Sequence, residues 1–178
     1  MKPIGTQLIQ TERLVLRRVQ ASDAKALVDI CSLPMSLKEA ERAVSEMIVE
    51  AGKPFGFHWV ITLDGQVIGR IKGWDDSPYN GYVQLGYDIG PAYRENGYMT
   101  EAARAVIEYL MTKADANRVY CSVRESNQAS ARVCLKCGMQ QEGTLRRHYA
   151  RQDGSFEDVL IFGILQEDWK KEGQQHGN

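Results

Sequence analysis

Residues 85 to 102 run Leu85-Gly86-Tyr87-Asp88-Ile89-Gly90-Pro91-Ala92-Tyr93-Arg94-Glu95-Asn96-Gly97-Tyr98-Met99-Thr100-Glu101-Ala102. Tyr82 to Ile89 has the apolar content of a strand, and Gly90-Pro91 ends it. A short polar loop centred on Gly97 follows, and Thr100 caps a helix whose buried face is Ala103, Val106, Ile107 and Leu110. A strand feeding through a loop into a helix gathers the unpaired N–H groups of the first turn into one space, with the helix dipole behind them. That geometry suits a pyrophosphate. Gly97 lets the backbone approach the anion, and Arg94 adds a charge-assisted bond. The pattern alone is common in α/β proteins, where such a glycine also serves a tight turn. It lacks both the Gly-Lys-Ser/Thr of a Walker loop and the GxGxxG of a dinucleotide fold.

Outward from this segment the chain alternates strands and helices. Leu14-Val15-Leu16 reads as a first strand; Ser22 then caps a helix carrying Ala24, Leu27, Val28 and Cys31. Pro34 breaks it, and Ser36-Leu37-Lys38-Glu39 is a capping box opening a second helix. Asp64-Gly65 predicts a type I′ hairpin between Phe57–Leu63 and residues 66–74, and residues 75–81 read as a surface loop. Val119–Val123 is a strand, Asn127–Cys137 a helix closed by Gly138, and residues 140–147 and 158–165 are two further strands. The order β-αα-βββ-α-β-α-ββ is an α+β (mixed α/β) layered fold with an antiparallel front half. One domain over residues 1–169 is expected, with 170–178 a frayed polar tail.

The 178 residues carry 22 Lys+Arg against 23 Asp+Glu, a net charge of −1. This balance removes a bulk electrostatic case for nucleic-acid or membrane-surface binding. No apolar run approaches a membrane span, residues 1–20 do not read as a signal peptide, and a cytoplasmic location is expected. Cys134 and Cys137 form a CxxC without a second pair or a nearby His pair, so they read as small apolar residues on one helical face and no metal is expected.

Two spaced motifs carry a resemblance to a known family. The segment Arg94 to Ala102 after a strand ending Ile89-Gly90-Pro91 resembles the acetyl-CoA pyrophosphate loop of the GNAT N-acetyltransferase superfamily, Arg/Gln-x-x-Gly-x-Gly/Ala, with Met99 where Gly or Ala is usual. Asn127-Gln128-Ala129-Ser130, then Lys136-Cys137-Gly138-Met139 and Glu142-Gly143-Thr144-Leu145-Arg146, is similar to the signature of the RimJ/RimL group. The resemblance spans about residues 10 to 169. It implies a mostly antiparallel, seven-stranded sheet with helices on both faces, and acetyl-CoA as co-substrate. It also implies cofactor contacts from Tyr87, Ile89, Arg94, Glu95, Asn96, Gly97, Tyr98, Met99, Thr100, Asn127, Ser130, Arg132 and Lys136. Tyr87 and Ile89 would act through backbone hydrogen bonds to the pantetheine arm.

Acetyl transfer to an amine requires a neutral nucleophile and a stabilised leaving thiolate. Many relatives carry a Glu where this chain has Gln84, which takes no proton. The resemblance points to His148 as the first choice of proton acceptor, since it follows Gly143-Thr144-Leu145-Arg146-Arg147 where relatives often show His or an acidic residue, and its intrinsic pKa suits neutral pH; Asp88 and Tyr149 stand behind it. The superfamily's proton-donating Tyr would fall at Cys134, and Ser130 is the alternative group to orient the sulfur. Trp59, Trp74, Tyr79 and Tyr82 read either as core or as an amine-binding aromatic wall. The acceptor implied by the resemblance is the α-amino group of a protein N-terminus such as a ribosomal protein's. A small amine, amino acid or antibiotic is the alternative, and a CoA-binding module without efficient transfer is a further one. Monomer and homodimer are both compatible with the sequence.

Overall fold

The computed structural model describes residues 1–30, 35–74 and 79–175, with side chains to residue 170. Cys31, the Pro34 break, most of the 75–81 loop and residues 176–178 lie outside the described residues.

Eight strands form one sheet in the order β1-β2-β3-β4-β5-β6-β8-β7. β1 (Ile9–Gln10) is an extra two-residue strand that pairs with β2 (Val15–Arg18), which accounts for eight strands where seven are expected. β3 (Phe57–Leu63) and β4 (Gln66–Trp74) form the hairpin, with Asp64 at φ 50° and Gly65 at φ 82°, the two left-handed residues a type I′ turn needs. β5 (Tyr82–Ile89) continues antiparallel, and α3 (Tyr98–Thr112) crosses over to β6 (Arg118–Arg124), which runs parallel to β5. α4 (Gln128–Lys136) precedes the hairpin of β7 (Gln140–Ala150) and β8 (Phe156–Leu165), and β8 inserts between β6 and β7.

Alternation along the strands divides the apolar residues between two layers. Phe57, Trp59, Ile71, Val83 and Leu85 meet Val106, Ile107 and Leu110 of α3 in the main core. On the opposite face α1 (Ala24–Ile30) and α2 (Leu37–Ala51) bury Leu27, Ile30, Val44 and Met47 against Val60. Helices thus cover both faces. α2 opens with the expected capping box, Ser36 Oγ accepting from the Glu39 N–H and the Glu39 carboxylate accepting from the Ser36 N–H at 2.7 Å. Trp59 is fully buried, stacked on Phe57 and donating Nε1–H to the Gln7 carbonyl at 2.7 Å, so it belongs to the core and to no amine-binding wall.

Two termini differ from the sequence reading. Ser22 lies inside a 3₁₀ turn, Ala21–Asp23, that leads into α1. Asp23 organises this turn by accepting from the Gln20 N–H and both Arg17 nitrogens, each at 2.8 Å. Burial would raise the Asp23 pKa, but the Arg17 guanidinium and the Gln20 N–H outweigh it and hold the carboxyl below its ordinary range. At the other end, α5 (Gln166–Gln175) carries the helix into residues 170–175, the first part of the expected polar tail. Trp169 anchors this helix by packing against the main core, with the Arg104 guanidinium 5.9 Å from its ring centroid.

Candidate active site

β5 and β6 pair at only three positions, Tyr82 with Arg118, Val83 with Val119 and Gln84 with Tyr120. Beyond them the strands part. Residues 85–89 keep their ladder to β4, and residues 121–124 keep theirs to β8, so each strand turns an unladdered edge towards the other. Gln84 closes the apex of this fork, accepting from the Tyr120 hydroxyl at 2.9 Å and donating to Ser122 Oγ at 3.2 Å. Gln84 is thus a polar clasp between the strands. The fork opens into a cleft of about 680 Å³ between the 93–100 loop and the start of α4.

The loop is shaped by two left-handed residues, Glu95 at φ 64° and Gly97 at φ 78°. Gly97 is the N-cap in place of the expected Thr100, so α3 begins at Tyr98; the left-handed glycine turns the chain into the helix three residues sooner. The first N–H to carbonyl bond of the helix is Glu101 to Gly97, which leaves the N–H groups of Tyr98, Met99 and Thr100 ahead of the helical ladder at the mouth of the cleft. The Met99 side chain is buried in the main core, which accommodates it where a small residue is usual. Asn96 does not line the cleft; its amide donates to the Arg94 carbonyl at 2.8 Å and its carbonyl accepts from Arg13 at 3.1 Å, so it shapes the loop.

Arg13, which the sequence reading missed, clamps this loop. It binds the Glu101 carboxylate through Nε at 2.6 Å, and its guanidinium lies 4.6 Å from the Tyr98 ring centroid. Thr11 donates to the same carboxylate at 2.6 Å. Burial alone would raise the Glu101 pKa, yet the Thr11 and Arg13 bonds hold it below its ordinary range. Glu101 thus ties the start of α3 to the N-terminal strands as well as favouring the helix dipole. No local signal in the sequence links residues 88 positions apart.

Across the cleft, Asn127 caps α4 by accepting from the Ser130 N–H at 3.1 Å. Ser130 Oγ donates to the Tyr87 hydroxyl at 2.9 Å, and that hydroxyl stands 3.5 Å from Cys134 Sγ. Cys134 is buried, lies behind Tyr87 and does not line the cleft; with Cys121 and Cys137 it packs against the main core, which removes it as a proton donor to a bound molecule. Burial, reinforced by the neighbouring Cys121 and Cys134, pushes the Tyr87 phenol well above its ordinary range.

The sequence-predicted bases fall elsewhere. Asp88 reaches the cleft but its carboxylate is bonded by Arg70 at 2.9 Å, so it is a paired anion and not a poised acceptor. His148 sits in a bulge of β7: between Leu145, opposite Val159, and Tyr149, opposite Glu157, the strand carries two residues more than β8. Arg147 at φ 52° forms the bend, pinned by its N–H bond to Asp158 Oδ1 at 2.7 Å. His148 is exposed and is absent from the cleft wall; β7 is the edge strand of the sheet, and β8 separates it from β6 of the fork. Tyr149 stays out as well, though its ring carries the cleft-lining Arg124 at 4.9 Å. Trp74 and Tyr82 do not line the cleft either; they lie on the sheet face opposite α3, Lys72 Nζ standing 4.7 Å from the Trp74 ring centroid, and Tyr79 is fully exposed.

The cleft wall holds Arg94, Arg124, Arg132 and Lys136 against the carboxylates Asp88 and Glu95. Four cations against two anions, in a chain of net charge −1, concentrate positive potential where the helix N-terminus already points.

The model of the acetyltransferase (GNAT) domain matches residues 13–140. The chain is 27% identical over 176 residues to the uncharacterized N-acetyltransferase p20 of Bacillus licheniformis, covering 92% of this chain and 98% of the relative. Among solved structures it resembles a putative ribosomal-protein-serine acetyltransferase from Vibrio cholerae, with a TM-score of 0.78, 23% identity and coverage of 93% and 99% of the two chains. It also resembles RimL, a ribosomal L7/L12 alpha-N-protein acetyltransferase solved with coenzyme A, with a TM-score of 0.79, 20% identity and coverage of 89% and 98%.

Proposed function

Because the chain belongs to the GNAT acetyltransferase family, we propose that it moves the acetyl group of acetyl-CoA to a primary amine by direct attack, the two substrates held together in the fork between β5 and β6. The observation that carries this reading is the parting of the two strands beyond Gln84, which exposes peptide edges on both sides of a cationic cleft. The donor set fits the molecule. The N–H groups of Tyr98, Met99 and Thr100, with Arg94, receive the pyrophosphate; Gly97 and Glu95 give that loop its curvature. Asn127, Arg132 and Lys136 hold the molecule from the α4 side. The edge of β5 at Tyr87 and Ile89 takes the peptide-like pantetheine arm as it would take an added strand.

When bound, acetyl-CoA supplies a thioester whose thiol leaves readily near neutral pH. The chain supplies alignment and a hydrogen-bonding environment for the sulfur, and the proton of the attacking amine passes to water. The acceptor approaches from the sheet face opposite α3, which carries Trp74, Tyr82, Gln84 and Tyr120.

We assign the acceptor to the α-amino group of a polypeptide. The likeness to RimL, a ribosomal L7/L12 alpha-N-protein acetyltransferase, and to the putative ribosomal-protein-serine acetyltransferase of Vibrio cholerae supports this assignment. Calorimetric titration with acetyl-CoA, then thiol release with a panel of peptides beginning in Ala, Ser or Met beside a panel of small amines, tests it. Turnover on peptides above small amines is expected; turnover on small amines alone overturns the acceptor class, and the absence of acetyl-CoA binding overturns the whole reading.

A further inference from the structure

We propose that the hydroxyl of Tyr87, held by Ser130 inside the fork, is the hydrogen-bond donor to the thioester sulfur of the bound acetyl-CoA. The inference rests on the acetyl-CoA reading above and assigns the tyrosine's side chain a role that its backbone contacts do not include.

Tyr87 follows Val83 and Leu85 on the strand face directed at α3 and α4, so its ring crosses beneath the cleft and its hydroxyl emerges at the first turn of α4. There the oxygen accepts from Ser130 Oγ at 2.9 Å, which orients the phenol. Its own hydrogen has a long contact to the Ser130 carbonyl at 3.3 Å and an ordinary-length contact to the weakly accepting Cys134 Sγ at 3.5 Å. A good O–H···O bond is about 2.7–2.8 Å and a thiol sulfur is a weak acceptor, so turning this hydrogen towards a third acceptor in the cleft sacrifices little. Both Tyr87 and Ser130 line the cleft.

Cys134 on α4 is buried, and its Sγ packs against the Tyr87 hydroxyl from behind, so the phenol and not the thiol is the group presented to the cleft. As the carbon–nitrogen bond forms and the carbon–sulfur bond breaks, the electron pair stays on sulfur, Tyr87 donates to the resulting thiolate without surrendering its proton, and the amine releases its proton to water. Ser130, bonded to the phenol oxygen, is the positioning residue.

Tyr87→Phe keeps the ring and removes only the donor. In the wild type, the thiol of bound CoA, followed by ultraviolet thiolate absorbance, is expected to titrate about one unit below free CoA, and Tyr87→Phe to abolish that shift. Turnover in Tyr87→Phe should fall roughly a hundredfold while calorimetric affinity for acetyl-CoA stays within about twofold. Ser130→Ala, which frees the phenol without removing it, should give a smaller loss of both the thiol shift and turnover. An unchanged bound-thiol pKa in Tyr87→Phe overturns the inference, as does unchanged turnover. A wild-type protein that does not bind CoA overturns the acetyl-CoA reading instead, so the two failures are told apart.

Discussion

The seam between β5 and β6 has a closed half and an open half, built from the same two strands. In the closed half, three register pairs and the Gln84–Tyr120–Ser122 clasp satisfy backbone and side chains within the protein. In the open half the backbone edges turn to a cleft, the wall is cationic, and one phenol hydrogen has only a long carbonyl contact and a weakly accepting sulfur. Satisfied groups fix the geometry; underused groups receive a ligand. The side of Gln84 on which a residue falls decides which of these it does.

The sharpest way to break this contrast is Gly97→Glu in the open half. It forces a non-glycine residue to φ 78° and adds an anion beside four cations meant for another. Acetyl-CoA affinity should fall by about a hundredfold or more in calorimetry, with the melting temperature moving far less; unchanged affinity would remove the loop from the site. In the closed half, Gln84→Leu leaves the Tyr120 hydroxyl without its carboxamide acceptor. A loss of about 1–2 kcal/mol in denaturant unfolding is expected, with acetyl-CoA affinity retained, the reverse of the Gly97 result.

A smaller effect concerns His58 on β3, remote from the seam. Burial, helped by Lys72 and then Arg70 and Lys53 against the opposing Glu50, lowers its pKa to about 4, and its Nδ1 has no hydrogen-bond partner. The folded chain therefore holds this proton less tightly than the unfolded chain. The stability due to the neutral ring is complete above about pH 6.5 and declines as pH falls towards 4. Urea unfolding across that window should show the decline, and His58→Gln should flatten it. The smallest effect is expected at His148: turnover of His148→Ala should stay within about threefold of wild type, against the hundredfold or more that a general base supplies. A collapse of the neutral pH–rate profile would bring the β7 bulge back to the reaction.

Several parts of the site were legible in the chain because they are local. The Asp64-Gly65 turn, the Ser36–Glu39 capping box, the strand–loop–helix around Gly97 and the Asn127 cap each depend on residues within a few positions, and each stands where the spacing predicts it, the start of α3 moving by three residues. The Arg13–Glu101 clamp, the ion pair on Asp88 and the place of His148 outside the cleft were not legible. The first two join residues 88 and 18 positions apart, and the third follows from the strand order, which sets β7 at the edge of the sheet with β8 between it and β6.

The sequence by itself determined the order of elements, the strand–loop–helix around Gly97 and the family likeness, since propensity, turn chemistry and capping act over one or two turns of chain. The tertiary structure alone decided which polar groups are spent and which remain available. That depends on where two strands part and on what faces each side chain across the gap: Gln84 became a clasp, Asp88 a paired anion, Cys134 a buried neighbour and Tyr87 an acceptor from Ser130 at the cleft wall, because hydrogen bonding and burial are settled by contacts in space.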